Sequence, residues 1–252
     1  DVTSVRTIAA GTFAKDAGTE RVGLAVLTDR FAESLRLELV GLLDGQRLQQ
    51  HHNDAFACLT PGACDRRVVV GVDFDGDGID AAVAFRDDVI EPFSAADKPV
   101  AMPAVMSSGV TLYTSGHNQL HSSVVGQPLV IDVDNDGKKD VAVLSDNGKV
   151  VVFFNKGALD PNNAATVSSS SPIRAFAFLD NAGDATKELA VLLADGVEIH
   201  TLQNGVFVLD RTLADVQGGD QIAAGDIDGD HIDDLVVGSQ LGFTVYRAGT
   251  KN

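Results

Sequence analysis

The chain has 252 residues, 44% of them hydrophobic, with a mean hydropathy of +0.09 and a formal net charge of −17. That acidity argues against nucleic acid or an anionic membrane surface as a partner. No apolar run approaches the roughly 18 residues of a membrane span, and the length admits one large all-β domain or two ordinary ones.

Taken in order, the chain reads as short strands separated by turn residues. It opens at Asp1 with no Met and no signal-like segment, which reads as a mature or excised fragment of a larger protein. Residues 11–27 align without gaps with residues 176–192, and both copies end in Leu-Ala-Val-Leu. His51 and His52 are adjacent, so on a strand they point to opposite faces and make a poor metal pair. Cys58 and Cys64 flank Pro61-Gly62, a turn that brings the two sulfurs toward each other and predicts a local disulfide.

A strand at residues 68–71 leads into an acidic loop, Asp73-Phe-Asp75-Gly-Asp77-Gly-Ile-Asp80, and then into the strand at 81–85. Residues 104–126 resemble the second half of such a unit without its opening loop; they are a sixth, eroded unit or an inserted hairpin. The pattern returns at residues 128–154. A strand there precedes the loop carrying Asp132, Asp134, Asp136 and Asp140, and a hairpin turn follows at Asp146-Asn-Gly148. The Ser168 to Ser171 run before Pro172 reads as a flexible connection. Residues 188–193, 197–201 and 206–209 form three successive strands, joined by turns at Asp195-Gly196 and Asn204-Gly205. The final copy runs from residue 221 through Asp226, Asp228, Asp230 and Asp234 to Tyr246.

The recurring unit is therefore strand, loop, strand, turn, strand, turn, strand, and no helical periodicity stands out. Five units are recognisable, six possible, at approximately residues 1–60, 66–126, 127–172, 173–218 and 219–252. Tandem four-stranded units predict an all-β chain folded as a single β-propeller domain over residues 1–252, each unit one blade with its acidic loop between first and second strands. A β-solenoid is the alternative, but its repeats are shorter. Residues 2–5 are candidates for the outer strand of the last blade. Residues 29–34, 52–66 and 155–172 read as long inserts suited to contacts.

Alternate side chains of a tight loop point the same way, so the carboxylates at positions one, three and five converge. Their repulsion calls for a hard, oxygen-seeking cation, and calcium fits best. An EF-hand shares the opening spacing but needs a bidentate Glu at position twelve; Ala84, Val143 and Val237 stand there. The three loops, each followed by an apolar strand, resemble the FG-GAP or VCBS-type repeats of integrin α-subunit propellers and many secreted bacterial proteins. The resemblance implies calcium ligation by side chains one, three, five and nine and the carbonyl of seven. That set is Asp132, Asp134, Asp136, Lys138 (carbonyl) and Asp140, and likewise Asp226, Asp228, Asp230, Ile232 (carbonyl) and Asp234. In the first loop it is Asp73, Asp75, Asp77 and Ile79 (carbonyl), with Ala81 at position nine, so this third site is the weaker. His231 stands where the loops favour Gly, at a turn that wants a positive φ.

The disulfide and the calcium loops point to an extracellular, cell-surface or periplasmic setting. No nucleophile–base pattern or phosphate-cradling loop is present in the sequence, so we expect no catalysis. The function expected is a calcium-stabilised binding or adhesion module for a protein partner, without membrane insertion by this segment. A calcium-dependent lectin, or the non-catalytic propeller of a secreted polysaccharide-active enzyme, is the alternative. Sugar sites favour aromatic platforms, and the chain has no Trp and only Tyr113 and Tyr246.

Overall fold

The computed structural model describes residues 4–16, 19–29, 34–43, 47–57, 67–74, 76, 78, 80–86, 89–93, 110–111, 124–157, 159–181, 186–214 and 218–248. All regular structure among them is β, and no helix is long and apolar enough to cross a membrane. The first sheet is β1 (Ser4–Asp16), β2 (Thr19–Asp29), β3 (Ser34–Leu43) and β4 (Arg47–Ala57). The second is β5 (Arg67–Val72), β6 (Ala81–Arg86), β7 (Val89–Phe93) and β8 (Val110–Thr111). The third is β9 (Val124–Ile131), β10 (Asp140–Ser145), β11 (Val150–Asn155) and β12 (Leu159–Val167). The fourth is β13 (Ala175–Leu179), β14 (Glu188–Leu192), β15 (Val197–Gln203) and β16 (Val206–Leu213). The last has three strands, β17 (Gln221–Gly225), β18 (Asp234–Ser239) and β19 (Gly242–Tyr246). In every sheet the strands lie in chain order, so each is a meander.

The chain forms two compact units. The first comprises Asp1–Ile131, Lys138–Asp146 and Phe153–Ala164; the second comprises Asp132–Gly137, Asn147–Val152 and Ala165–Asn252. Within the first, β1 lies beside β5 and β5 beside β9; within the second, β13 lies beside β17. Within each unit, then, the opening strands of successive sheets are neighbours.

The inner strands are buried along their length rather than in alternation. β10 and β11 are buried at every position, and Leu189, Ala190, Val191 and Leu192 of β14 are sealed from solvent. A core in the second unit joins Leu179, Leu192, Val197 and Ile199 to Leu235 and Val237 across two sheets. Each such fully buried aliphatic side chain contributes about 1.5–3 kcal/mol. β16, the last strand of its sheet, is mostly exposed instead.

Four sequence readings change. Ser4 and Val5 pair with Asp29 and Thr28 inside the first sheet, so they do not complete the last one. The stretch 155–172 contains β12, and 52–57 belongs to β4; part of each supposed insert is an outer strand. Residues 11–27 and 176–192 align but fold differently: β1 and β2 pair as far as Asp16 and Thr19, whereas β13 stops at Leu179 and β14 starts at Glu188. The Ser168 to Ser171 run is anchored, because Ser169 Oγ donates to Glu198 Oε1 at 2.8 Å and flanking Val167 and Ile173 are buried. Cys58, Cys64, His117, His121 and most of 104–126 lie outside the described residues.

Candidate metal loops

Each acidic loop joins the first and second strands of its sheet: 73–80 between β5 and β6, 132–139 between β9 and β10, 226–233 between β17 and β18. All three share one backbone signature, a positive φ at positions four and six. These are Gly76 and Gly78 (77° each), Asn135 and Gly137 (56° and 86°), and Gly229 and His231 (84° and 67°). Left-handed residues turn the chain back on itself, which is why Gly and Asn recur there. His231 adopts the conformation its place in the repeat demands. His231→Val is expected to cost about 1–2 kcal/mol, because a β-branched residue resists this region. Urea denaturation of the variant checks this; equal midpoints would refute it.

The first aspartate closes each loop. Asp73 accepts N–H bonds from Gly76 and Gly78 (2.8 Å each). Asp132 accepts from Asp136 (3.1 Å) and Gly137 (2.9 Å). Asp226 accepts from Gly229 (2.6 Å) and His231 (3.0 Å). Shielding by the loop pushes the Asp226 pKa up, but N–H donation from Gly229, His231 and Asp230, with the charge of His231, outweighs it and leaves the carboxyl below its ordinary value. It is therefore held ionised.

Among the described residues, two groups of three carboxylates converge. Oxygens of Asp132, Asp134 and Asp136 lie within 4.8 Å of one another, as do those of Asp226, Asp228 and Asp234. The fifth-position residue differs between them: Asp230 Oδ1 accepts the N–H of Ile232 at 2.9 Å rather than joining its group. Arg247 stands 3.8 Å from Asp228. Lys138 and Ile232, expected to offer carbonyls, are half-buried within their loops. Asp75, Asp77 and Ile79 lie outside the described residues, so the first loop is represented by Asp73 alone among its predicted ligands. The donor set is all oxygen and anionic, supplied from one short loop, and fits a hard divalent cation such as calcium.

The ninth aspartates do more than face the loop. Asp140 and Asp234 are fully buried. Asp140 Oδ1 accepts the N–H of Asn155 (2.8 Å) at the end of β11; Asp234 Oδ1 accepts that of Ala248 (3.0 Å), just past β19. Asp234 Oδ2 accepts from Ile227 (3.1 Å). Each ninth aspartate so ties the start of the second strand to the end of the third, and Asp234 also holds its loop through Ile227.

Sequence reasoning missed two features. Glu198 Oε2 lies 3.1 Å from His200 Nε2 while its other oxygen takes Ser169, forming a partly buried chain of three between β15 and the stretch before β13. The carboxylate sits between hydroxyl and imidazole, the wrong order for activating a serine. The i, i+2 spacing of Glu198 and His200 on one strand face was the available signal. The second is the eighth loop residue. Asp80 and Asp233 bond to Thr12 and Asp180 of preceding sheets. Asp180 belongs to a loop without the acidic pattern, and there Asn181 N–H also donates to Glu188 Oε2 at 3.0 Å.

Comparison with known proteins agrees with the repeat. The family model described as FG-GAP repeat matches residues 218–250, which contain β17, β18, β19 and the 226–234 loop. No curated protein matches the chain. Among solved structures, BBS1N in complex with ARL6DN, soaked with mercury, is similar at a TM-score of 0.48 and 11% identity, covering 97% of this chain and 78% of that one. The chain thus contains one stretch matched as an FG-GAP repeat, its last unit.

Proposed function

We propose that the chain is a calcium-stabilised β-propeller of an extracellular, cell-surface or periplasmic protein, non-catalytic, and that it binds a protein partner. The observation that carries the calcium half is the pair of three-carboxylate groups at equivalent places, one of them inside the FG-GAP repeat. The neighbouring opening strands β1–β5–β9 and β13–β17 support a blade arrangement. Calcium's task here is structural: Asp132, Asp134 and Asp136, or Asp226, Asp228 and Asp234, would hold it. Bound there, it neutralises the converging charge and lets the buried ninth aspartate keep each loop on its sheet.

A protein ligand is favoured by exposed apolar side chains at the sheet margins, among them Val206 (59%), Leu241 (100%) and Phe243 (75%). Large exposed apolar side chains of this kind suit protein contacts. The test presents the immobilised domain, in millimolar calcium and in EGTA, to solubilised cell-surface proteins and to a glycan array. Calcium-dependent protein capture with a blank array is expected. Reproducible glycan hits would replace this reading with a lectin.

A further inference from the structure

We infer that the aspartate at the eighth loop position, Asp80 and Asp233, latches its sheet to the preceding one and carries the ordering of the acidic loop across to it; the transmission rests on the calcium reading above. Asp233 N–H donates to the carbonyl of Asp180 (2.9 Å), and Asp233 Oδ2 accepts the N–H of the same Asp180 (2.8 Å). Asp80 repeats this on Thr12, donating to its carbonyl (2.6 Å) and accepting its N–H (2.7 Å). In both cases one residue has both its main-chain polar groups engaged by one other residue. The arrangement copies a hydrogen-bonded pair of an antiparallel ladder, with the carboxylate standing where a main-chain carbonyl would be. Lys187 adds a cation 3.8 Å from Asp233 Oδ2. Thr12 lies within β1 and Asp180 just after β13, so the two latches reach different points of their target sheets with the same geometry.

Three successive residues of the last loop face three ways. Ile232 belongs to the loop and its N–H is held by Asp230; Asp233 reaches the preceding sheet; Asp234 is buried in its own sheet. The backbone of a residue has two soft dihedrals, so fixing both flanks of Asp233 fixes the direction in which its side chain leaves the chain. Freeing the loop frees the latch. The other loops each lack one part. Loop 73 has the latch Asp80 but Ala81 at position nine, and loop 132 has the buried Asp140 but an exposed Lys139 at position eight.

The deciding experiment is amide-resolved hydrogen exchange of the whole chain in calcium and in EGTA, on wild type, D233A and D233N. In wild type, at a calcium concentration about ten times the dissociation constant, exchange at Asp180 should slow about tenfold along with Gly229 and His231. D233A should lose the calcium response at Asp180. D233N, whose side-chain oxygen still accepts, should retain it. Slowing at Gly229 and His231 with none at Asp180 overturns the transmission, and so does a full response in D233A. No response at any of these amides, with no calcium-binding heat, overturns the calcium reading itself. Should D233A fail to fold, the wild-type comparison decides alone.

Discussion

Chelating calcium from the purified chain is expected to lower its melting temperature by about 6–11 °C. The figure follows from two loops, each contributing about 1.4 kcal/mol at millimolar calcium if its dissociation constant is about 0.1 mM, and about 2–4 °C per kcal/mol for a chain of this size. The charge arrangement sets the sign. Without a cation, three carboxylates within 4.8 Å repel in each group, while the loop's N–H donors are spent on Asp132 and Asp226. Asp228→Asn removes one member of one group and should roughly halve the shift. Magnesium should substitute poorly, because a single tight loop does not give its near-ideal octahedron. Scanning calorimetry with and without EGTA reads the effect, and coincident melts would remove calcium from the account.

Gly148→Ala is the second large effect, about 2–4 kcal/mol, combining left-handed strain with overpacking. Gly148 sits in the hairpin turn after β10 at φ 72°, and an added Cβ would lie 2.6 Å from Pro172 Cβ and 2.7 Å from Pro172 Cα. The obstacle is a proline and its backbone, not a flexible tip. Moving it disturbs the Ile173 N–H bond to the Gly148 carbonyl (3.0 Å) and lifts Ile173, which is 4% exposed. Gly205→Ala is the control, with φ 78° and nothing within 4 Å of the new atom. It should show the strain alone, about 1–2 kcal/mol. The two urea midpoints, compared at unchanged m, isolate the collision; equal losses would refute it.

What the sequence makes legible is local. Apolar β-branched runs bounded by Asp-Gly or Asn-Gly turns place β14, β15 and β16 within a few residues of their observed limits. The acidic spacing yields the carboxylate groups, and the departure at His231 correctly marks a residue forced to a positive φ of 67°. Partners distant in sequence are the illegible part. Nothing in Asp233 says that its carboxylate reaches Asp180, 53 residues earlier, instead of solvent. The similarity of residues 11–27 to 176–192 also misleads, since Thr12, Lys15 and Glu20 can extend a hairpin and the second copy does not. Pairing is decided by cross-strand neighbours, which a pattern read along one chain does not contain. Outer strands such as β12, containing Pro161 and two asparagines, lack the β-rich composition that announces inner ones.

Two hydrogen bonds closing on a single residue have a mechanical corollary. A pull that separates the fourth sheet from the fifth at the Asp180–Asp233 pair loads both bonds together, at 2.8 and 2.9 Å. Bonds so coupled must rupture in one step, unlike a ladder peeled from its end one rung at a time. Because one of the two accepts on a carboxylate, it is also the stronger kind. Tension across that seam would meet a stiff, brittle joint rather than a compliant one.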